Sequence, residues 1–184
     1  MKRLVAIVGM SGSGKSVASD YLESIGFSKI YFGGVVLTEL KNRGMEVTPD
    51  NEKFVREDLR REFGMAAMAI KLLPEIKKSI KKHDTVLDGL YSWDEYVVLK
   101  KEFKDDLKLI CVATDKDLRY ERIGKRPVRP LNREEIEKRD YAEIENLAKG
   151  GPIAMADYFI LNNGTIEEYH ERLEEILKCI SKGE

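Results

Sequence analysis

The strongest constraint on this chain is a glycine-rich run close to its start, Gly9-Met10-Ser11-Gly12-Ser13-Gly14-Lys15-Ser16. The run spells G-x-x-x-x-G-K-S directly after the apolar segment Leu4–Val8, and a helix-like segment from Ser16 to Ile25 follows it. A glycine loop between a buried strand and a helix start is the context in which this motif forms a phosphate-binding loop, or P-loop. The sequence therefore predicts a nucleoside triphosphate site at this loop.

The residue types of the loop suit a polyphosphate. Glycines let the backbone bend around an anion, and successive N–H groups then point inward at the start of a helix. Lys15 supplies a cation for the β- and γ-phosphates, and the hydroxyl of Ser16 is placed to ligate Mg²⁺. We expect ATP and Mg²⁺ as cofactors, with the nucleotide bound by Gly9, Met10, Ser11, Gly12, Ser13, Gly14, Lys15, Ser16 and Val17.

Length and charge narrow the class of protein. A chain of 184 residues suits one domain spanning 1–184. The net charge is −1, from 32 basic and 33 acidic side chains, so no basic excess favours a nucleic-acid partner. No apolar stretch is long enough to predict a membrane span, and Cys111 and Cys179 lack the spacing of a zinc site. We expect reduced cysteines and a cytoplasmic protein; monomer and homodimer both stay open.

The order of apolar segments predicts the fold class. Helical patterns alternate with buried, strand-like runs, which predicts an α/β protein with a five-stranded, mainly parallel sheet and helices on both faces. The predicted strands are Leu4–Val8, Lys29–Phe32, Thr85–Leu87, Leu107–Ala113 and Tyr158–Leu161.

Two segments are longer than such a core requires. Residues 33–82 are helix-prone, with breaks expected at Gly44, Pro49, Gly64 and Pro74. Residues 122–151 are densely charged. Ligands of open α/β sheets lie beyond the carboxyl ends of the strands, where segments that follow strands can cover them. We therefore predict a helical acceptor-binding insertion at 33–82 and an arginine-rich lid at 122–151.

Charged residues after two strands are candidates for catalysis. Asp88 ends the strand beginning at Thr85 and is placed to hold Mg²⁺ together with Ser16. Guanidinium groups stabilise the charge of a transferred phosphoryl group, which predicts this role for lid residues Arg122, Arg126 and Arg129. The alternative is a solvated, charged helix end.

Further residues near the lid and the strand ends are candidates for structural or binding roles. We expect Arg119 to be structural, and Arg139 and Asp140 are candidate partners within the lid. Tyr91 and Trp93, after Asp88, could stack on a ring or simply pack at a helix start.

The loop after the last strand is a candidate adenine site. Asn162 and Asn163 precede Gly164 and Thr165 there. We expect the loop to contact adenine; a turn followed by a helix cap at Thr165 is the alternative, and one loop can serve both purposes.

With these residues located, the whole chain resembles the P-loop nucleotide kinases, the group of adenylate, cytidylate and dephospho-coenzyme A kinases. The likeness to dephospho-coenzyme A kinases extends from end to end and is most specific in the run 156–165, which implies a loop near adenine. The lid arginines and Asp88-Gly89 fall where the group has them, which implies an Mg²⁺-dependent kinase.

The acceptor side departs from that group. Adenylate-type kinases place Asp and Arg after the second strand, where this chain has Gly33-Gly34. They also carry an arginine for the acceptor phosphate after Asp-Gly, where this chain reads Leu90-Tyr91-Ser92-Trp93. Four arginines of the insertion could replace the missing charge: Arg43, Arg56, Arg60 and Arg61.

The sequence thus predicts a kinase that transfers the γ-phosphoryl group of Mg²⁺-ATP to a small-molecule acceptor. A nucleotide or nucleotide-containing acceptor such as dephospho-coenzyme A is expected. The alternative from another class is a nucleotide-binding switch that hydrolyses ATP slowly while a partner protein senses the lid. A kinase acting on RNA ends is disfavoured by the net charge of −1.

Overall fold

The structure, a computed structural model, describes residues 2–182 and contains a five-stranded sheet. All neighbouring strands pair in parallel in the order β2-β3-β1-β4-β5. This confirms the predicted sheet, with every strand boundary within one residue of its predicted position. The strands are β1 Leu4–Val8, β2 Ser28–Tyr31, β3 Thr85–Asp88, β4 Leu107–Ala113 and β5 Tyr158–Leu161.

Helices cover both faces of the sheet. Every residue of β1 is buried, and alternate side chains enter different cores. Leu4, Ala6 and Val8 pack in the core beneath the insertion helices, whereas Val5 and Ile7 pack toward α1 and α9. The helices are α1 Lys15–Ser24, α2 Gly34–Asn42, α3 Pro49–Phe63, α4 Ala67–Ser79, α5 Trp93–Phe103, α6 Lys116–Gly124, α7 Arg133–Leu147, α8 Gly150–Ala154 and α9 Ile166–Lys182.

The segment 33–82 folds as the three helices α2 to α4. Pro49 is the first residue of α3, and the side chain of Thr48 caps that helix by accepting from the backbone N–H of Asn51. The expected break at Pro74 was wrong, because Pro74 lies inside α4. The side chains of Leu72 and Ile76, on either side of the proline, are buried in the core. This packing outweighs the one backbone hydrogen bond that Pro74 cannot make.

The segment 122–151 contains the end of α6, a loop and α7. Asn132 and Glu135 form a capping box that starts α7. A small cluster of Tyr120, Ile123 and Ile136 packs α7 against α6. The lid is therefore a folded part of the molecule with its own apolar contacts.

Within residues 2–182, no helix has the length and apolar character needed to cross a membrane. Cys111 and Cys179 are free thiols. Cys111 lies in β4, where burial raises the pKa of its thiol to about 11, so this thiol is protonated and unreactive at neutral pH.

Candidate active site

A cavity of about 470 Å³ lies over the P-loop at the carboxyl edge of the sheet. Strands β1 and β3 pair in a register that places Ile7 opposite Asp88. The start of the P-loop therefore lies beside the end of β3. Residues of the segment 122–151 contribute to the lining of the cavity. Its lining consists of Ser11, Gly12, Gly14, Lys15, Ser16, Val17, Tyr91, Arg122, Arg126, Arg139, Glu143 and Lys149.

The glycines of the P-loop are required by their backbone and by their neighbours. Gly9 and Gly14 have φ values of 141° and 100°, which L side chains rarely adopt. A Cβ atom on Gly14 would lie 2.4 Å from Nδ2 of Asn162, and one on Gly9 would lie 2.4 Å from the carbonyl oxygen of Val112. The loop is thus packed tightly against the ends of β4 and β5.

Lys15 is nearly buried at the floor of the cavity, with 9% of its surface exposed. Its Nζ donates to the carbonyl oxygen of Met10 at 2.8 Å. Burial, and secondly the charge of Lys149, lower the pKa of Lys15 to about 7, although Glu143 and Asp88 oppose this shift. An anion in the cavity would favour the charged form of the Lys15 amine.

Ser16 and Asp88 offer oxygen ligands beside the P-loop. Asp88 is buried at the end of β3, and burial raises the pKa of its carboxyl group against the opposing effects of Ser19, Lys29 and Lys15. Ser16 is exposed at the start of α1. A hydroxyl and a carboxylate suit Mg²⁺, which takes its remaining ligands from substrate phosphates and water. Among residues 2–182, no group of three or more His, Cys, Asp or Glu is arranged to hold a metal ion.

The lid brings two of the three predicted arginines to the cavity. Arg122 and Arg126 line it, and Nη1 of Arg122 donates to the carbonyl oxygen of Asn162 at 3.0 Å. Arg129 lies outside the lining. Its side chain is 65% exposed, and its Nη2 is 3.7 Å from Oε1 of Glu52 on α3. Phosphate binding by these arginines stays a prediction, and the geometry supports it for Arg122 and Arg126.

Asn162 braces the P-loop. Its buried Nδ2 donates to the carbonyl oxygen of Ser13 at 2.8 Å, and the hydroxyl of Thr114 donates to the same oxygen at 3.1 Å. The hydroxyl of Tyr169 donates to the carbonyl oxygen of Gly14 at 3.1 Å. The side chain of Asn162 is therefore directed at the loop, and its expected contact with adenine stays a prediction.

The rest of that loop forms a turn and a helix cap. Asn163 accepts from the backbone N–H of Asp115 at 3.1 Å. Thr165 and Glu168 exchange hydrogen bonds at the start of α9, as the alternative interpretation of this loop expected. Any contact of Asn163 with adenine also stays a prediction.

A buried ion pair joins the lid to the P-loop. Arg119 donates through Nη2 to Oδ2 of Asp140 at 2.8 Å and through Nη1 to the carbonyl oxygen of Ser11 at 2.8 Å. The hydroxyl of Tyr120 also donates to Asp140 at 3.3 Å. Arg119 is thus a structural link between α6, α7 and the loop that floors the cavity.

Sequence reasoning missed Lys149 and Glu143, which line the cavity beside Tyr91. Nζ of Lys149 is 2.5 Å from Oε2 of Glu143 and 4.7 Å from the centre of the Tyr91 ring. Arg139 pairs with Oε1 of the same Glu143 at 3.1 Å. The one local signal was the position of Lys149 directly before Gly150-Gly151, where the lid segment was expected to end.

Three of the four arginines of the insertion differ in their hydrogen-bond and ion-pair partners. Arg43 and Arg61 both pair with Asp58, and Arg43 pairs with Glu39 as well. Nε of Arg60 is buried and has no hydrogen-bond partner among residues 2–182.

Comparison with known sequences identifies the family. Residues 5–145 match the family described as AAA domain. A UPF0200 protein of Thermococcus gammatolerans is 33% identical over 184 residues, which cover 98% of this chain and 96% of that protein. A UPF0200/UPF0201 protein of Archaeoglobus fulgidus is 33% identical over 183 residues; the match covers 98% of this chain but only 56% of that longer relative.

Solved structures with the same fold include two kinases. Dephospho-CoA kinase from Campylobacter jejuni has a TM-score of 0.62 and 18% identity, covering 100% of this chain and 99% of that one. Shikimate kinase from Acinetobacter baumannii, in complex with shikimate, has a TM-score of 0.62 and 17% identity, with 100% and 96% covered. At these identities the likeness shows the fold. The chain therefore belongs to the AAA domain family and to the UPF0200 proteins, and it has the fold of the P-loop kinase group that its sequence resembles.

Proposed function

We propose that the protein is an ATP-dependent kinase that transfers the γ-phosphoryl group of Mg²⁺-ATP to a small-molecule acceptor. The acceptor is a nucleotide or a nucleotide-containing compound such as dephospho-coenzyme A. One observation carries the proposal: Lys15 of the P-loop and the lid residues Arg122 and Arg126 line the same cavity. Cations from the P-loop and from the lid around one cavity suit a phosphoryl group that moves between two substrates.

The donor side works by position and charge. The N–H groups of the P-loop and the amine of Lys15 hold the phosphates of the nucleotide. The carbonyl oxygen of Asn162 fixes the guanidinium group of Arg122, so this cation is in place before charge develops on the phosphoryl oxygens. Arg126 lines the same cavity from the lid and adds a second guanidinium group for the transferred phosphoryl group.

The residues that would hold Mg²⁺ are Ser16 and Asp88. An ion bound there would neutralise negative charge on the β- and γ-phosphates. The chain's own contribution is the placement of Asp88, which β3 fixes beside Ile7 at the start of the P-loop.

The acceptor side is bounded by the insertion and by the loop after β3. Helices α2 to α4 follow β2, the strand next to β3, so the insertion stands on the β3 side of the P-loop. The structural neighbours named as dephospho-CoA kinase and shikimate kinase support a small-molecule acceptor, and the first of these names supports a nucleotide-containing one.

A second candidate function is a regulatory ATPase that binds and slowly hydrolyses ATP while a partner protein senses the lid. The observation that favours it is the loop Leu90–Trp93, which offers no arginine to an acceptor phosphate. A stoichiometric complex with another protein, without transfer to any small molecule, would support this function.

ADP release from Mg²⁺-ATP tests the proposal. The purified protein is assayed alone and with nucleoside monophosphates, nucleosides and dephospho-coenzyme A, with Lys15→Ala as the inactive control. An acceptor-dependent rate well above the rate with water, absent in the control, supports the kinase and identifies the acceptor. A low rate that no acceptor changes would contradict the kinase and favour the regulatory ATPase.

A further inference from the structure

We propose that Lys149 and Arg139 form a second anion site in the cavity, which binds a phosphate monoester group of the acceptor. The proposal rests on the proposed kinase function and specifies its acceptor. It gives a binding role to a buried lysine that no motif identifies.

The topology separates the two sides of the cavity. Asn162 braces the P-loop from the β4–β5 side, and Arg122 donates to the carbonyl oxygen of Asn162 there. Tyr91 follows β3, on the other side of β1, and Lys149 lies over its ring. The insertion follows β2, beyond β3. Lys149 therefore lies on the β3 side of the cavity, which is the side of the insertion and of the proposed acceptor.

The burial of Lys149 needs an explanation. Only 2% of its side chain is exposed, although it lines the cavity. Burying an ammonium group is costly unless it is paired. Its anionic partner is Glu143, but Glu143 also pairs with Arg139. Two cations thus share one carboxylate, which leaves positive charge for a ligand.

The charge of the whole lining points the same way. Five cationic side chains line the cavity, and Glu143 is the one carboxylate among the lining residues described. Mg²⁺-bound ATP carries roughly two net negative charges near neutral pH, and Asp88 adds one beside Lys15, so about one positive charge of the site is left unbalanced. A phosphate monoester offers three acceptor oxygens to Lys149 and Arg139, whereas a single carboxylate offers two.

The position of Lys149 is fixed by close packing of the lid on the start of α5. A Cβ atom on Gly151 would lie 2.4 Å from the ring of Trp93, so α8 sits directly against that ring. Nζ of Lys149 then lies 4.7 Å from the centre of the Tyr91 ring. The loop Leu90–Trp93 carries no cation of its own, and Lys149 brings one to it from the lid.

A purely structural role would make different predictions. If Lys149 only joined α7 to α8 through Glu143, its loss would lower stability and affect all ligands together. If it belonged to the donor site, its loss would weaken nucleotide binding. An acceptor site predicts a selective loss of the second anion.

Calorimetric titration of inorganic phosphate separates these roles. The protein is first saturated with Mg²⁺ and adenylyl imidodiphosphate, an ATP analogue that is not hydrolysed, so that phosphate reports on the second site. The test variant is Lys149→Met, the conservative variant is Lys149→Arg, and the matched control is Lys138→Met on the exposed side of α7. Acetate serves as the carboxylate probe.

We expect the wild type and Lys138→Met to bind phosphate with equal affinity and acetate more weakly. Lys149→Met should weaken phosphate binding by about tenfold or more, and Lys149→Arg by less than about threefold. The affinity for the analogue should not fall in Lys149→Met, because losing the charge of Lys149 favours the protonated form of Lys15. If Lys149→Met does not fold, Arg139→Gln, at a half-exposed position, should show the same selective loss.

Three results would overturn the site: no phosphate binding by the wild type, equal binding by wild type and Lys149→Met, or a parallel loss of phosphate and analogue. Acetate binding more tightly than phosphate would overturn the assignment to phosphate monoesters. Failure of the kinase itself is distinguishable. In that case no acceptor stimulates ADP release from the wild type, while phosphate binding still depends on Lys149.

Discussion

The two halves of the cavity are built in different ways. The donor half is one contiguous loop, Gly9–Ser16, whose carbonyl oxygens accept hydrogen bonds from Asn162, Thr114, Tyr169 and Arg119. The other half gathers single residues from the start of α5 and from the lid, and it is held by shared ion pairs. The proposed nucleotide site depends on local backbone geometry, whereas the proposed second anion site depends on how distant elements pack.

Lys15→Ala gives the largest expected effect and tests the donor half. Removing the cation next to the transferred group should lower turnover by about a thousandfold or more. The protein should stay folded, because Lys15 pays a desolvation cost that lowers its pKa to about 7. ADP release and circular dichroism measure the two effects. Near-wild-type turnover would contradict the mechanism.

Gly14→Ala should disturb the same half through its backbone. The added Cβ would meet Nδ2 of Asn162 at 2.4 Å in a backbone conformation that disfavours alanine. We expect the affinity for the ATP analogue to fall by about a hundredfold in calorimetric titration. The matched control is Gly34→Ala at the start of α2, where the nearest atom is 4.0 Å away. Equal affinities for the two variants would show that the loop is not held as described.

The lid arginines should differ in a fixed order. Arg122→Ala should lower turnover by roughly a hundredfold, Arg126→Ala by less, and Arg129→Ala by no more than about threefold. The order follows their positions, since Arg122 is anchored in the cavity and Arg129 is paired with Glu52. Turnover at saturating ATP measures it. A loss in Arg129→Ala as large as in Arg122→Ala would show that Arg129 enters the cavity during catalysis.

Asp84→Asn should change stability without affecting either half. Although burial opposes it, hydrogen bonding to the backbone and side chain of Arg3 lowers the pKa of Asp84. The stabilisation is therefore present above the pKa of an unfolded aspartate and is lost as the pH falls through the lower folded value. We expect a loss of about 1 kcal/mol at pH 7 in urea unfolding, shrinking below about pH 4. A difference that grows in acid would contradict this linkage.

The sequence was sufficient for the parts that local chemistry dictates. The glycine spacing identified the P-loop, and continuous apolar runs such as Leu107–Ala113 identified buried strands within one residue. These features need only the backbone and the nearest neighbours in the chain. Pro74 was misjudged because packing of α4 in the core outweighs a local preference.

The second half of the cavity was not predictable in the same way. In the sequence, Lys149 is one of many charged residues in its segment. Its burial depends on the packing of α8 against Trp93, which the sequence alone does not show. Likewise, Arg43 after α2 pairs with Asp58 in α3 through a contact that spacing alone does not show. Side chains whose role depends on a distant partner leave little trace in a single sequence.

The central claim is that this cavity binds a nucleoside triphosphate through the P-loop. Calorimetric titration of Mg²⁺ and adenylyl imidodiphosphate into the wild type and into Lys15→Ala tests it most directly. We predict one site per chain in the wild type and an affinity at least about a hundredfold weaker in the variant. Absence of binding by the wild type, or equal affinity for the two proteins, would contradict the account.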